Sequence, residues 1–134
     1  MSMTGMGGPY NYNSWKFAGS TTSPTGSAGR VCNESAEWEC YYDCGQCADA
    51  CWWTTCKDSV GQAVDMIDYV LNNFCIDMSM VWAMGCSNGG MFMYELAQDS
   101  RTHDLLAGVA PMVGLPQYGY NFGPASPMSF IGFW

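Results

Sequence analysis

Charged residues are scarce in this chain, and positively charged ones are the scarcest. Only 12% of the 134 residues are charged, and four Lys and Arg stand against twelve Asp and Glu, for a formal net charge of −8. This balance leaves no basic surface of the kind that binds nucleic acid or an anionic membrane. We therefore expect neither nucleic acid nor membrane as a partner.

Long apolar runs are missing as well. No stretch approaches the roughly 20 apolar residues that span a bilayer, and the N-terminal "MSMTGMGGPYNYNSW" lacks the charged and apolar regions of a signal peptide. Eight cysteines, six of them between Cys32 and Cys56, nevertheless favour an oxidising compartment. We expect an extracellular protein whose signal peptide is not present in this chain.

Hydrophobic residues, by contrast, are abundant. They make up 49% of the chain, with 15% aromatics, which is enough for a core. We expect one partial domain over residues 1–134. It comprises an irregular covering segment rich in Gly, Ser, Thr and Pro (1–31), a stapled insertion rich in Cys and Trp (32–57) and a core of helices and strands (58–134).

Two segments of the core have helical periodicity. Apolar residues recur every three or four positions from Val60 to Phe74, which predicts one face of an amphipathic helix. Thr55 or Asp58 is the expected N-cap. A second helix is expected from about Asn88 to Asp99.

Three short apolar runs alternate with these helices. "MSMVWAM" predicts a buried strand that ends at Gly85, because it is too short for a helix. "LLAGVAPMVG" and "PMSFIGFW" predict two further buried strands. Helices alternating with buried strands indicate an α/β fold with a parallel sheet.

The junction between the first of these strands and the second helix has the pattern G-x-S-x-G. Gly85, Ser87 and Gly89 occupy its fixed positions, and the pattern predicts a nucleophile elbow that projects the serine hydroxyl above the sheet. Side chains at the two glycines would collide with the neighbouring strand and helix. The backbone N–H of Asn88 would stabilise the oxyanion formed when Ser87 attacks an ester. A glycine-rich turn with an inert serine is the alternative.

Longer stretches around this motif carry a family resemblance. "GCSNGGMF", with "DSVGQAVDMIDYVLNNFCID" before it and "LLAGVAPMVG" after it, resembles the secreted feruloyl esterases and polyhydroxybutyrate depolymerases of the α/β-hydrolase family. "YNSWKFAGS" and "CADACWWTTCKD" are similar to earlier segments of that family, so the resemblance covers most of residues 13–134. It implies a partial α/β-hydrolase fold and a serine carboxylic ester hydrolase that acts through a Ser87 acyl-enzyme.

The resemblance also implies the cofactor requirement and the substrate class of such an enzyme. It needs no cofactor and no metal, and its substrate is an ester: a feruloyl or acetyl polysaccharide of the plant cell wall, or a polyester. Trp52, Trp53 and Tyr118 are candidate substrate-binding residues, because an aromatic groove suits a phenolic or sugar ring. Packing of these aromatics over disulfides or in a loop is the alternative. No oligomeric state is indicated.

Some catalytic groups that the resemblance implies are not found in this sequence. In the family, the catalytic acid and the catalytic histidine follow a strand similar to "PMSFIGFW", and the second oxyanion donor lies in an early His-Gly loop. We expect none of these three groups in this chain. His103, the only histidine, precedes the position at which the base occurs in this fold. Asp99 and Asp104 are interpreted as polar residues of a helix end and a loop. We expect a truncated, inactive piece of a hydrolase, or else a non-catalytic binding or vestigial protein.

The cysteines allow other interpretations. "CADACWW" is faintly similar to the segment around a papain-like nucleophile, which would be Cys51. Cys44 and Cys47 have the C-x-x-C spacing of a zinc site, but disulfides are favoured because no histidine is nearby. A helix between Cys56 and Cys75 keeps those two apart. Cys86 is expected to be a buried free thiol, which leaves seven others and suggests a partner in a missing segment.

Overall fold

The computed structural model describes residues 6–7, 13–15, 17, 58–115 and 127–133. The chain divides into two units, Met1–Lys57 with Pro116–Phe122, and Asp58–Leu115 with Gly123–Trp134. The predicted Cys- and Trp-rich insertion at 32–57 lies outside the described residues, and so does Thr55. No helix in the described ranges has both the length and the apolar character needed to cross a membrane.

In the first unit, two short strands pair with each other. Strand β1 (Met6–Gly7) and strand β2 (Asn13–Ser14) are antiparallel, with Met6 opposite Ser14. These strands lie in a segment for which the sequence predicts no regular structure. Two-residue strands are too short to produce the alternation by which a strand is recognised.

The second unit contains a parallel three-stranded sheet in the order β3-β4-β5. Its strands are β3 (Trp82–Cys86), β4 (Gly108–Met112) and β5 (Ser129–Phe130). Two helices accompany the sheet, α1 (Ser59–Asn73) before β3 and α2 (Asn88–Gln98) between β3 and β4. The predicted α/β arrangement with a parallel sheet is confirmed for this unit.

Helix α1 begins where the sequence predicts. Asp58 is its N-cap, and the Asp58 Oδ1 accepts a hydrogen bond from the N–H of Gly61 at 3.0 Å. Val60 and Ala63 are buried near this end, whereas Tyr69 is largely exposed. The apolar face of α1 is therefore buried mainly in its first turns among the described residues.

Helix α2 packs on β3 and β4 and supplies much of the core. Met91, Phe92 and Leu96 are buried, and the ring of Tyr94 lies 5.1 Å from that of Phe130 in β5. Burial raises the pKa of the Tyr94 phenol. The observed bounds of α2 agree with the predicted helix, and β4 is as buried as the sequence predicts. The prediction of a buried third strand is wrong, because both residues of β5 are exposed and β4 is its only partner among the described residues.

Strand β3 differs from its prediction in two ways. Met78–Met80 form a 3-10 helix instead of the start of the strand, because Asp77 accepts hydrogen bonds from the N–H and hydroxyl of Ser79. These bonds also lower the pKa of Asp77. The strand itself runs through Cys86 and is not buried, because β4 is its only partner among the described residues and alternate side chains stay exposed.

The two described cysteines also correct the sequence-based expectation. Cys86 is a free thiol as predicted, but it is exposed instead of buried, because it shares the exposed face of β3 with the alternate residues Trp82 and Met84. Cys75 is free and exposed too. Six cysteines then remain, all between 32 and 56, so the odd number that suggested a partner in a missing segment no longer holds.

Candidate active site

The predicted nucleophile lies at the carboxyl edge of the parallel sheet. Ser87 is the single residue between the end of β3 and the start of α2. Ligands of open α/β sheets bind outside the carboxyl ends of the strands. The sequence motif and the sheet topology therefore agree on where a ligand would meet this serine.

The backbone of Ser87 has an unusual conformation. Its φ of 54° and ψ of −119° correspond to the first central position of a type II′ turn, which glycine dominates. For a residue with a side chain, such a conformation costs of order 1–3 kcal/mol and persists only when the surroundings impose it.

Hydrogen bonds on both sides impose this conformation. The N–H of Ser87 donates to the carbonyl of Met112 at the end of β4, with an N···O distance of 2.9 Å. The carbonyl of Ser87 accepts from the N–H of Met91 at 3.0 Å, which is the first hydrogen bond of α2. The turn is thereby tied to the neighbouring strand and to its own helix.

The Ser87 hydroxyl takes no part in this network. Ser87 is the N-cap of α2, where a serine side chain normally accepts a hydrogen bond from the helix, yet it makes no capping bond here. The residue is exposed. The hydroxyl is thus presented at the sheet edge instead of being used to stabilise the helix.

Close backbone packing explains three of the glycines around the serine, Gly85, Gly90 and Gly114. A Cβ at Gly85 would overlap the carbonyl of Gly89, as the sequence analysis expects for Gly85. A Cβ at Gly90 would lie 2.8 Å from the carbonyl oxygen of Met112, and one at Gly114 would lie 2.5 Å from the carbonyl oxygen of Ser87. Sequence reasoning missed Gly90 and Gly114, because their roles depend on contacts between segments distant in the chain.

Asn88 is the first residue of α2 and is half-buried. Its position puts the backbone N–H at the positive end of the helix macrodipole, next to Ser87. This is the place from which an N–H could stabilise an oxyanion on a substrate held at Ser87.

His103 lies at the other end of the sheet. It belongs to the loop between α2 and the start of β4, and the N–H of Ala107 in this loop donates to the carbonyl of Val81, just before β3. A five-residue strand at ~3.3 Å per residue separates the two edges by about 16 Å. His103 is therefore too far away to act as the base for Ser87.

Several polar groups of this amino edge form pairs with one another, although the buried Nδ1 of His103 has no hydrogen-bond partner. His103 Nε2 lies 3.2 Å from Asp104 Oδ1. Arg101 bridges Asp58 and Asp99 through its two terminal nitrogens, at 2.7 and 2.8 Å. The Arg101 hydrogen bonds lower the pKa of Asp99, and both carboxylates raise the pKa of Arg101. These contacts tie the start of α1 to the loop after α2.

Other predicted sites lie outside the described residues. They are the candidate substrate-binding residues Trp52, Trp53 and Tyr118, the alternative nucleophile Cys51, and the possible zinc ligands Cys44 and Cys47. Among the described residues, no group of three or more His, Cys, Asp or Glu side chains could hold a metal ion.

Comparison of this chain with family models, with curated proteins and with solved structures finds no match.

Proposed function

We propose that Ser87 is the nucleophile of a secreted carboxylic ester hydrolase with a partial α/β-hydrolase fold, of the feruloyl esterase or polyhydroxybutyrate depolymerase type. The observation that carries the proposal is the state of Ser87 itself. Its backbone is held in a glycine-like conformation, and its exposed hydroxyl makes no capping bond.

Two energetic properties of Ser87 favour this role over an inert turn. Glycine would adopt the same backbone conformation without strain. A capping hydroxyl would stabilise the helix by about 1 kcal/mol, and the Ser87 hydroxyl does not make this contribution. A residue that is both strained and unused for stability is better explained by chemistry than by folding.

The proposed reaction is acyl transfer in two steps. The Ser87 Oγ attacks the ester carbonyl carbon and gives up its proton to a base, while the Asn88 N–H stabilises the oxyanion. Collapse of this adduct breaks the ester C–O bond, and the leaving alcohol takes up the proton. Water then attacks the acyl-enzyme, which releases the carboxylic acid and restores the serine.

The base for this reaction is not in the described part of the chain. The single histidine of the sequence, His103, lies in the loop that leads into β4, at the opposite edge of the sheet from Ser87. We therefore propose that the imidazole comes from outside these 134 residues, and that the chain alone acylates slowly. The same observation favours a second candidate, a non-catalytic protein that binds esters without cleaving them.

Chemical rescue distinguishes the two candidates. The protein is mixed with p-nitrophenyl butyrate, with and without added imidazole, and the butyryl adducts are followed by intact mass and peptide mapping. We expect a single adduct on Ser87 that forms on the order of tenfold faster with imidazole, because a general base contributes at least that much. Without added imidazole, an acyl-enzyme that does form should persist, because deacylation also needs a base.

Matched variants locate the adduct. Ser87→Ala should abolish it, whereas Ser100→Ala, at an exposed turn serine of the amino edge, should leave it unchanged. Equal acylation of Ser87→Ala and the unsubstituted protein would overturn the proposed esterase. Absence of any adduct would favour the non-catalytic candidate.

A further inference from the structure

Val113 is the second described residue, besides Ser87, that has a positive φ without being a glycine. Its φ of 52° lies in the left-handed region, where a β-branched side chain is a genuine outlier. The residue is also 71% exposed, so burial does not compensate for the strain. Packing within the described residues therefore does not explain why a valine occupies this position.

The position of Val113 relative to Ser87 is fixed by its two neighbours. The carbonyl of Met112 accepts the Ser87 N–H at 2.9 Å, so the Val113 nitrogen lies no more than about 5 Å from that of Ser87. Gly114 packs directly against the Ser87 carbonyl. Val113 thus lies between two residues that contact the proposed nucleophile.

Two other exposed apolar residues lie at the same edge. Leu115 is 59% exposed, and Phe133 is 54% exposed. Phe133 forms a parallel bridge with Met112, and its carbonyl accepts the Val113 N–H at 2.8 Å. We call Val113, Leu115 and Phe133 the apolar rim.

The described segments at the carboxyl edge share one property, which is the absence of charge. The three segments that meet there, residues 85–91, 110–115 and 129–133, contain no charged residue. A charged acyl group would find no counter-ion on these segments, whereas methylene groups would be removed from water by the apolar rim.

We infer that the apolar rim receives the acyl part of the substrate and that Val113 determines its preference for an uncharged, apolar acyl chain. This inference rests on the proposed esterase function and specifies its substrate class. The strained backbone holds the Val113 side chain at the edge where the acyl group of a Ser87 adduct would lie.

The test compares acylation of Ser87 by p-nitrophenyl acetate and p-nitrophenyl hexanoate in the presence of imidazole. We expect the protein to favour hexanoate by about tenfold, because a few methylenes in contact with apolar side chains supply that much discrimination. Val113→Gly should reduce the ratio to about twofold. Because glycine relieves the backbone strain, this variant should keep or raise the melting temperature, so the loss cannot reflect unfolding.

Met80→Gly is the matched control. Met80 is 69% exposed, nearly as much as Val113, but it precedes β3 at the amino edge, and its variant should keep the tenfold preference. Acylation of Ser87 with the same preference in Val113→Gly would overturn the role of Val113 and leave the esterase standing. Failure of both esters to acylate Ser87 would overturn the esterase and this inference together.

Discussion

The two edges of the parallel sheet are built in opposite ways. At the amino edge, Arg101 is paired with two carboxylates, and the buried hydroxyl of Thr102 donates to the carbonyls of Leu96 and Asp99 at 2.5 and 3.1 Å. At the carboxyl edge, the described segments contain no charged residue, two residues have strained backbones, and the Ser87 hydroxyl is not used to cap its helix. One edge stabilises the unit, and the other carries unfavourable conformations that stability alone does not explain.

The largest effect should come from a side chain at the tightest backbone contact of the carboxyl edge. Gly85→Ala places a methyl group against the backbone of Gly89, which cannot move without shifting α2 from the sheet. We expect a loss of about 3 kcal/mol in the free energy of unfolding, measured by urea denaturation.

Gly61→Ala is the contrasting variant for that measurement. The new methyl would displace the carboxylate of Asp58, which weakens its capping bond to Gly61 and its ion pair with Arg101, whereas alanine favours the helix. The two effects have opposite signs. We expect a change within about 1 kcal/mol. Equal losses in the two variants would show that the packing around Gly85 has no special importance.

A smaller effect of opposite sign should follow when the strain at Ser87 is removed. Ser87→Gly should raise the free energy of unfolding by about 1 kcal/mol, because glycine adopts the positive φ without penalty. Ser87→Ala keeps the strain and should change stability little. If urea denaturation gives the two variants the same stability, the carboxyl edge is not strained at this residue, and the contrast between the edges fails there.

The smallest effect concerns the charges of the amino edge. The pKa of Asp99 is lowered in the folded protein by Arg101, so its contribution to stability is complete above the unfolded pKa of about 3.9. That contribution is lost as the pH falls through the folded pKa. Because Arg101 is substantially exposed, we expect it to be below about 1 kcal/mol.

Urea denaturation between neutral and acidic pH measures this contribution. Arg101→Ala and Asp99→Asn should both flatten the acid-side loss relative to the unsubstituted protein. An unchanged acid-side slope in Arg101→Ala would mean that the ion pair does not stabilise the amino edge.

The sequence predicts the elements better than it predicts the site. Helix α2 and strand β4 were predicted closely, because local periodicity and composition specify them. The exposure of β3 was not predicted, because an apolar run does not reveal how many partners a strand has. The turn at Ser87 was found through a five-residue pattern.

The other residues of the site, Val113 and Gly114, are not marked by any local sequence pattern. Gly114 packs against the carbonyl of Ser87, and the N–H of Val113 donates to the carbonyl of Phe133. Both contacts join segments that are distant in the chain and meet only when the strands pair. A valine in the left-handed region is in fact the opposite of what residue preferences indicate. Neither residue could have been selected from the sequence alone.

The hydrogen bond from Ser87 to Met112 has a consequence for the order of folding. Its acceptor belongs to a strand that follows α2 in the chain, so the serine cannot acquire its final conformation until β4 has docked beside β3. Such non-local pairings form late, because loop closure must precede them. The proposed nucleophile is thus assembled only when the unit around it is complete, and a chain intermediate that still lacks β4 would expose a relaxed, unreactive serine.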